Sequence, residues 1–483
     1  EALNPENPRE YILDSLAGEP VMDRLQLQRQ LIRIRNRPDS VFIRRLTKHG
    51  PVVSDIYPDE KLVSDRVVAM RWTGHEVSNE FEALLGMNWA GNMQEFQRHL
   101  PSFRVPGQNV IYADKNGNIA RFSMARIPLR SGSPVGFRQG WNPDADWQGY
   151  VPFDDLPKEV NPPRGWVANA NHAISDEEYP YYITIYWEPD SRYNRIRQYL
   201  TDRELHSTET FQVMQNDSYS NYAAEMTNQI LPVLKRQDDP VFSTVISYLE
   251  NWEYRYEPSE TAATILDVFT LKYSANTFED EMGEEVYRNF IRFSGLPARI
   301  LLRLTKNGSA FFDRVDTPET ETREEIIVQS MQETIQYLEE EIGSEPFEWR
   351  WENLHTLTLK PPLFGEAADE PDAGTALKLI VNNLLSKGPY PARGHGMSVN
   401  NGLYRWSDPY AMVLGPSIRR IVDFSDLGKT LSIIPTGQSG NPISEYFGDQ
   451  TEDWLEGRYK LLYQDSTLFR ESTVRTTLLR SDK

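Results

Sequence analysis

The chain contains 483 residues, and its 51 Lys and Arg residues against 71 Asp and Glu residues give a formal net charge of −20. Nucleic-acid binding needs a basic surface, and an anionic membrane repels an acidic chain, so this balance argues against both kinds of partner. The absence of cysteine excludes disulfides, thiolate nucleophiles and zinc sites with sulfur ligands.

The first part of the sequence predicts antiparallel strands with two helices among them. Residues 40–47 mix β-branched, apolar and polar side chains, as half-buried strands do. Residues 77–100 predict helices. Residues 108–114 and 119–125 flank an Asn-Gly step that is typical of a hairpin, because both turn residues tolerate positive φ. Residues 165–171 predict a further strand.

The rest of the sequence predicts a helical region followed by short strands. Helices are expected over 189–235, over 242–293 with a break at Pro258, and over 319–342 up to Gly343. Short strands are expected at 397–400, 411–414, 418–424 and 431–434. The sequence contains no run of 18 apolar residues, so it predicts no membrane-spanning helix. Strands at both ends with helices between them favour one α+β body over a βαβ array.

The common catalytic signatures are absent from the sequence. There is no phosphate-binding loop, no dinucleotide fingerprint and no His-Glu-x-x-His helix, and none of the seven histidines forms an i,i+4 pair. The segment Gly437-Gln438-Ser439-Gly440 lacks the spacing of a nucleophile elbow and predicts a turn.

Eight segments in order resemble the large (β) subunit of the penicillin acylase family, whose members cut amide bonds of penicillins or N-acyl homoserine lactones. The segments are 47–54 (TKHGPVVS), 112–119 (YADKNGNI), 127–130 (IPLR), 149–157 (GYVPFDDLP), 161–171 (NPPRGWVANAN), 349–355 (WRWENLH), 415–419 (GPSIR) and 437–441 (GQSGN). Their shared order makes the resemblance specific at the level of the family.

The resemblance implies the four-layer αββα fold of N-terminal-nucleophile hydrolases, an α+β fold with two stacked antiparallel sheets, outer helices and a helical insertion. Residues 1–483 would form most of one acylase body, divided into 1–188 (first strands and active-site wall), 189–345 (mainly helical) and 346–483 (returning strands). The family nucleophile is a serine freed by autoproteolysis. Its α-amino group titrates near neutrality and can therefore accept the hydroxyl proton before the acyl-enzyme forms.

The sequence starts at Glu1 rather than at a serine. It resembles the family's large subunit from a point after that subunit's start. We therefore expect the nucleophile, a backbone oxyanion donor and most calcium ligands to lie on another segment of the same precursor. The implied partners are this segment, the small (α) subunit and a small N-acyl amide substrate. The implied location is the periplasm or the secreted fraction.

Asn171 is the strongest candidate for a catalytic residue in the sequence. The family places an asparagine at this point of its motif, where the side-chain N–H donates to the tetrahedral oxyanion. Without the resemblance, a turn-forming asparagine would be the simpler interpretation. Asn169 lies two residues earlier, and on a strand the two would share a face, which makes Asn169 a candidate substrate-binding residue.

Arg192 is the predicted active-site arginine, because residues 187–195 (WEPDSRYNR) resemble the family segment that carries one. Its fork of donors would orient the substrate or the nucleophile's surroundings. Arg195 is the alternative, and a small shift in alignment decides between them. A salt bridge at a helix start is the competing structural interpretation.

No cofactor is expected for the chemistry, and no metal ligand can be named in the chain. The family holds a structural calcium ion with oxygen ligands, and Pro134 lies near the position of one backbone carbonyl. The expected carboxylate falls near Tyr182 and Ile183, and the acidic residues at 176–178 are out of register. Five aromatic residues could line an acyl pocket or form core, with core favoured: Trp147, Phe153, Trp166, Trp349 and Trp351.

The functional hypothesis is an amidohydrolase acting on N-acylated amines as part of a multi-chain assembly. The substrate would be a penicillin side chain or an N-acyl homoserine lactone, which links the protein to antibiotic resistance or to quorum quenching. A hydrophobic acyl group is slightly favoured. The alternative is a non-catalytic scaffold or binding protein that retains the acylase body.

Overall fold

A computed structural model describes residues 1–16, 19–35, 37–56, 66–132, 134–292, 294–360, 384–463 and 466–472. The chain divides into two compact units. Unit 1 comprises Glu1–Asn169 and Ile174–Ile185, and unit 2 comprises Ala170–Ala173 and Tyr186–Lys483. The chain passes between the units three times within residues 169–186, the stretch that carries Asn169 and Asn171. The predicted divisions after residues 188 and 345 stay predictions.

Unit 1 is built from short antiparallel sheets. Its strands are β1 (Leu3–Asn4), β2 (Asn7–Leu16), β3 (Glu19–Arg24), β4 (Gln26–Ile32), β5 (Ser40–Thr47), β6 (Gly50–Pro51), β7 (Gln108–Ala113), β8 (Ile119–Met124), β9 (Pro128–Arg130), β10 (Trp147–Tyr150) and β11 (Lys158–Val160). The sheet orders are β1-β2-β3, β4-β5-β6, β11-β8-β7 and β10-β9. Two helices, α1 (Glu80–Trp89) and α2 (Met93–His99), complete the unit.

The predicted hairpin over residues 108–125 is confirmed. Strands β7 and β8 pair in register from Gln108 opposite Met124 to Ala113 opposite Ile119. Gly117 in the turn has φ +86°, a value that glycine adopts at little cost. The inner residues of β8, Ala120, Phe122 and Met124, pack in one apolar cluster with Leu100. This cluster includes Ala83 of α1 and explains why α1 and α2 form beside the hairpin.

Unit 2 contains most of the helices. They are α3 (Ser191–Thr201), α4 (Thr208–Gln215), α5 (Asn221–Leu234), α6 (Val241–Glu250), α7 (Thr261–Met282), α8 (Glu284–Phe290), α9 (Gly295–Asn307), α10 (Arg323–Glu341), α11 (Trp351–Leu354), α12 (Thr451–Leu455) and α13 (Ser466–Ser472). Its strands are β12 (Thr356–Leu359), β13 (Lys387–Pro391), β14 (Arg419–Ile421), β15 (Thr430–Ile433) and β16 (Lys460–Leu462), in the sheet orders β12-β13 and β14-β15-β16.

Short 3-10 helices lie in the connections of both units. They span Thr73–His75, Leu100–Ser102, Pro143–Ala145, Phe153–Asp155, Ala310–Phe312, Pro346–Glu348, Leu427–Lys429 and Glu445–Phe447.

The core of unit 2 forms around helix α7, which is buried along most of its first four turns. Helix α10 packs against it through residues that include Ile327, Met331 and Leu338. The sequence predicts this helix from residue 319, but it begins at Arg323 because Thr322 and Glu325 form a capping box. The helix therefore starts where the side chains of Thr322 and Glu325 accept hydrogen bonds from backbone N–H groups of the first turn.

The predicted α+β class is confirmed by these helices and antiparallel sheets. Helix α9 was not predicted from the sequence. The strand predicted at 397–400 is wrong, because this segment forms a buried turn in which the Ser398 hydroxyl contacts the carbonyls of His395 and Asn400. No described helix combines the length and apolar content needed to cross a membrane.

Candidate active site

The segment that carries Asn171 is not the strand that the sequence predicts. Residues 165–171 have no strand assignment, and Asn171 itself has φ +61°. A strand requires a neighbouring ladder, which the amino-acid pattern of a single segment cannot supply. Asparagine is one of the few residues besides glycine that enter the left-handed region readily. The chain therefore turns at Asn171, and its exposed side chain projects from a bend.

Asn171 accepts hydrogen bonds from Arg192 and Glu188 of unit 2. Nη2 of Arg192 donates to Oδ1 of Asn171 at 3.1 Å. The backbone N–H of Glu188 donates to the carbonyl oxygen of Asn171 at 3.0 Å. Because Arg192 has only donors, Oδ1 must face the guanidinium, which assigns Nδ2 to the opposite side of the carboxamide. The arrangement thus gives the amide group a defined orientation.

Arg192 is a half-buried cation beside this amide. Burial lowers the pKa of Arg192 below its usual value, and the nearby carboxylate of Glu188 offsets only part of this effect. An arginine remains protonated at any working pH even so. A fixed positive charge therefore sits next to Asn171 and favours negative charge that develops there.

The first turn of α3 fixes the position of Arg192. The preceding residue, Ser191, is buried, and its hydroxyl donates to the carbonyl of Met397 at 2.7 Å. The same hydroxyl accepts the N–H of Tyr222 at 3.1 Å, and the Asn221 side chain donates to the Ser191 carbonyl at 3.0 Å. Arg192 thus extends from a helix start that is bound on two sides.

Arg195, the alternative arginine, has a different set of partners. Its Nε pairs closely with Oδ2 of Asp217, whose side chain is fully buried. Asp217 also binds Nη1 of Arg255 through Oδ1 at 2.6 Å, and Arg195 lies over the ring of Tyr219 at 4.3 Å. The structure brings Arg192 to Asn171 and places Arg195 in this ion-pair cluster. The catalytic roles of Asn171 and Arg192 stay predictions.

The argument that placed Asn169 beside Asn171 does not hold in this backbone. Residues i and i+2 share a face only where the chain is extended, and the positive φ of Asn171 ends any such alternation. Asn169 is half-buried and belongs to unit 1. The next residue after Asn171, His172, is buried and stacks on Tyr193 with ring centroids 3.7 Å apart. His172 therefore packs against α3.

A cavity of about 450 Å³ lies in unit 2 next to this segment. Its wall includes Ala173, Glu188 and Ser191 together with three cationic residues of the unpredicted helix α9: Arg299, Arg303 and Lys306. The volume lies in the range of small-molecule sites. The sequence signal that could have located this wall is the cationic spacing at i, i+4 and i+7 of residues 299–306.

The sequence profile of the family described as "Penicillin amidase" matches residues 1–468. This chain belongs to the penicillin amidase family. The predicted family is therefore confirmed across almost the whole chain.

Individual relatives show where the likeness lies. The acyl-homoserine lactone acylase QuiP of Pseudomonas aeruginosa is 25% identical over 439 residues, which cover 86% of this chain and 52% of that protein. The penicillin acylase 2 proenzyme of Pseudomonas sp. SE83 is 23% identical over 50% of this chain and 31% of that protein. The chain spans about half the length of the curated relatives it matches.

A solved structure shares the fold of this chain. The thermostable penicillin G acylase from Alcaligenes faecalis, in its orthorhombic form, superposes with a TM-score of 0.70 at 19% identity. The likeness covers 100% of this chain and 86% of that chain. The predicted N-terminal-nucleophile hydrolase fold is thereby confirmed.

The described residues do not by themselves supply the calcium site that the resemblance implies. Across the described ranges, no three His, Asp or Glu side chains converge as a metal would require. Arg130 occupies the neighbourhood of Tyr182, where the sequence comparison expected a carboxylate, and burial lowers the pKa of this arginine. A guanidinium is a poor neighbour for a divalent cation, and no chemical step is assigned to calcium.

The aromatic candidates separate into two groups in the penicillin amidase fold. Trp349 and Trp351 are buried in the helical core of unit 2, as the core interpretation expects. Trp147 is half-buried in unit 1 and lies under the guanidinium of Arg71 at 4.5 Å. Phe153 packs against the hairpin cluster of unit 1 and Trp166 lies under Arg164 at 4.4 Å.

Proposed function

We propose that this chain forms the larger part of an acylase that hydrolyses the amide bond of N-acylated amines. The observation that carries the proposal is the hydrogen bond from Arg192 to Oδ1 of Asn171. It gives an exposed carboxamide one orientation, with its donor end turned away from the arginine. A donor that is oriented before the substrate arrives is what stabilisation of an oxyanion requires.

In the proposed mechanism, Asn171 acts on the tetrahedral intermediate. A serine at the start of another segment attacks the amide carbonyl, with its own α-amino group as the base. Nδ2–H of Asn171 donates to the oxygen that becomes negatively charged, and the charge of Arg192 strengthens this donor by polarising the amide. The amine then leaves, and water hydrolyses the acyl-enzyme while the same donor serves again.

The proposed partners and substrates rest on family membership and on the names of the relatives. One relative is an acyl-homoserine lactone acylase and another is a penicillin acylase proenzyme, so both amine classes stay open for this chain. We propose a small (α) subunit and a nucleophile-bearing segment from one precursor as partners, in a periplasmic or secreted enzyme. The substrate-binding role of Asn169 stays a prediction. A structural calcium ion would take its carboxylate ligands from those partners.

The proposal is tested by removing the donor of Asn171 in the enzyme assembled with its partner segments. Asn171→Gly tolerates φ +61° and lacks the donor, so it separates the chemistry from backbone strain. We expect turnover of an N-acyl amide to fall by about 10²–10³ in Asn171→Gly and Asn171→Ala alike. The measurement is kcat for acyl release, together with a urea unfolding curve for each variant.

Asn161 provides a matched control. It is also an asparagine with positive φ, +45°, and its side chain bonds within unit 1 to the N–H of Ile119 and to Asn118. Asn161→Ala should lower stability and leave turnover per folded molecule unchanged. Wild-type turnover in Asn171→Gly would refute the assignment of Asn171.

The scaffold alternative gives a different outcome in the same preparation. Mass spectrometry of the purified assembly should find a chain whose N-terminal residue is serine if the protein is an acylase. A single chain that releases no acyl group from any N-acyl amide would support the scaffold instead.

A further inference from the structure

A carboxylate lies deep in the helical core of unit 2, where an isolated charge is costly. Asp267 of α7 is 3% exposed. The hydroxyl of Tyr404 donates to its Oδ1 at 2.5 Å, and Nε2 of His395 lies 3.1 Å from the same oxygen. Burial alone would raise the pKa of Asp267, but these contacts and one from Tyr256 outweigh burial and hold it below its usual value. The group is therefore a satisfied buried anion.

His395 connects this anion to a buried loop. Its Nδ1 accepts the N–H of Met397 at 3.3 Å, so the proton on Nε2 faces Asp267. The ring also stacks on Tyr256, with centroids 4.5 Å apart. The Ser398 hydroxyl accepts the backbone N–H of His395 at 2.9 Å and lies within hydrogen-bond distance of the carbonyl of Asn400. The loop 394–400 therefore has one defined conformation.

The carbonyl of Met397 in this loop is the acceptor for Ser191. Ser191 starts α3, and the next residue is Arg192, which orients Asn171. A continuous set of contacts thus runs from Asp267 through His395 and Met397 to Ser191. Every contact in it lies within unit 2.

We infer that Asp267 and Ser191 are positioning residues for the Arg192–Asn171 pair, acting through His395 and the loop 394–400. The inference rests on the proposed function of that pair. A buried carboxylate with hydrogen-bond partners is weak support for stability, because well-packed apolar residues often serve as well. Stability alone therefore does not explain Asp267. Its contacts lead to the start of α3, and positioning that helix start is the role that we assign to it.

The test is a double-mutant cycle in the assembled enzyme. Ser191→Ala removes the contact to Met397, and Arg192→Ala removes the residue through which Ser191 is inferred to act. We expect Ser191→Ala to lower kcat by about five- to twentyfold with little change in KM, because it removes the buried hydrogen bonds of this hydroxyl to Met397 and from Tyr222. In the Arg192→Ala background the same change should lower kcat less than twofold, because the effect passes through Arg192.

Three further variants complete the design. Ser191→Thr keeps a hydroxyl and should recover most of the lost kcat. Asp267→Asn removes the anion at the far end of the network and should show the same dependence on Arg192. Thr270→Val is the matched control on α7, because the one hydrogen bond of the buried Thr270 hydroxyl to any residue that the structure describes is to the carbonyl of Leu266 in its own helix. It should leave kcat unchanged in both backgrounds.

The outcomes separate this inference from the proposed function. Full activity in Arg192→Ala and Asn171→Gly would refute the proposed function itself. Loss of activity in those two variants, with equal effects of Ser191→Ala in both backgrounds, would overturn only the positioning role. Urea unfolding of each variant shows whether a loss of kcat reflects the folded fraction.

Discussion

Gly394 begins the loop that contacts Ser191, and its replacement gives a sharp test of the described geometry. Its φ is +93°, and a Cβ built there would lie 1.9 Å from the carbonyl oxygen of Asn400 and 3.3 Å from Oγ of Ser398. The nearest atom belongs to the backbone, so no side-chain rotation relieves the clash. Gly394→Ala must therefore shift the loop or strain it.

The expected loss of stability has two parts. An L-residue in the left-handed region costs about 1–2 kcal/mol. Overpacking in a buried site adds about 1–3 kcal/mol. Gly394→Ala should therefore lower the free energy of unfolding of unit 2 by about 2–5 kcal/mol.

Two glycines of the same unit separate these parts. Gly308 has φ +78° with open space around its Cβ, so Gly308→Ala reports the backbone cost alone, about 1–2 kcal/mol. Gly440 has open space and no positive φ, so Gly440→Ala should be nearly neutral. The assay is urea unfolding followed by tryptophan fluorescence. Equal midpoints for Gly394→Ala and Gly308→Ala would refute the close approach to Asn400.

Two further predictions concern buried ionisable groups in unit 2. Burial lowers the pKa of His355 to about 4, whereas its value in the unfolded chain is 6.5. The free energy of unfolding should therefore be highest above pH 6.5 and fall by about 3 kcal/mol as the pH drops to about 4. His355→Gln should flatten this pH dependence in urea unfolding curves, and an unchanged dependence would contradict the burial of His355. Asp217→Asn should cost about 1–2 kcal/mol, because Arg195 and Arg255 lose their shared carboxylate while keeping access to solvent. A stability change in Asp217→Asn no larger than that in Arg195→Gln would argue against the shared pair.

Local patterns in the sequence predicted the elements whose causes are local. The Asn-Gly turn at 116–117 sits between strands that pair in the expected register. The helix around residues 319–342 was predicted from its apolar spacing, and only its start differed, because the capping box at Thr322 decides it. These features depend on residues a few positions apart.

The candidate site depends on contacts that no short pattern reveals. The pairing of Arg192 with Asn171 spans 21 positions, and the contact of Ser191 with Met397 spans 206. The sequence predicts a strand at residues 397–400, but these residues form a buried bend in the loop 394–400. The family resemblance predicted Asn171 and Arg192 as candidates. The fold then showed that Arg192 contacts Asn171, whereas Arg195 pairs with Asp217. The Asp267 network had no sequence signal beyond an aspartate on an apolar helix.

The alternation of residues 169–186 between the two units has a consequence for building chimaeras with other members of the penicillin amidase family. Residues 170–173 belong to the helical unit, although residues 174–185 belong to the other unit. A crossover at residue 186 would transplant Arg192 without the asparagine that it orients. An exchange that keeps Asn171 with its own arginine must take residues 170–173 together with 186–483, so the smallest transferable cassette is discontinuous in the gene.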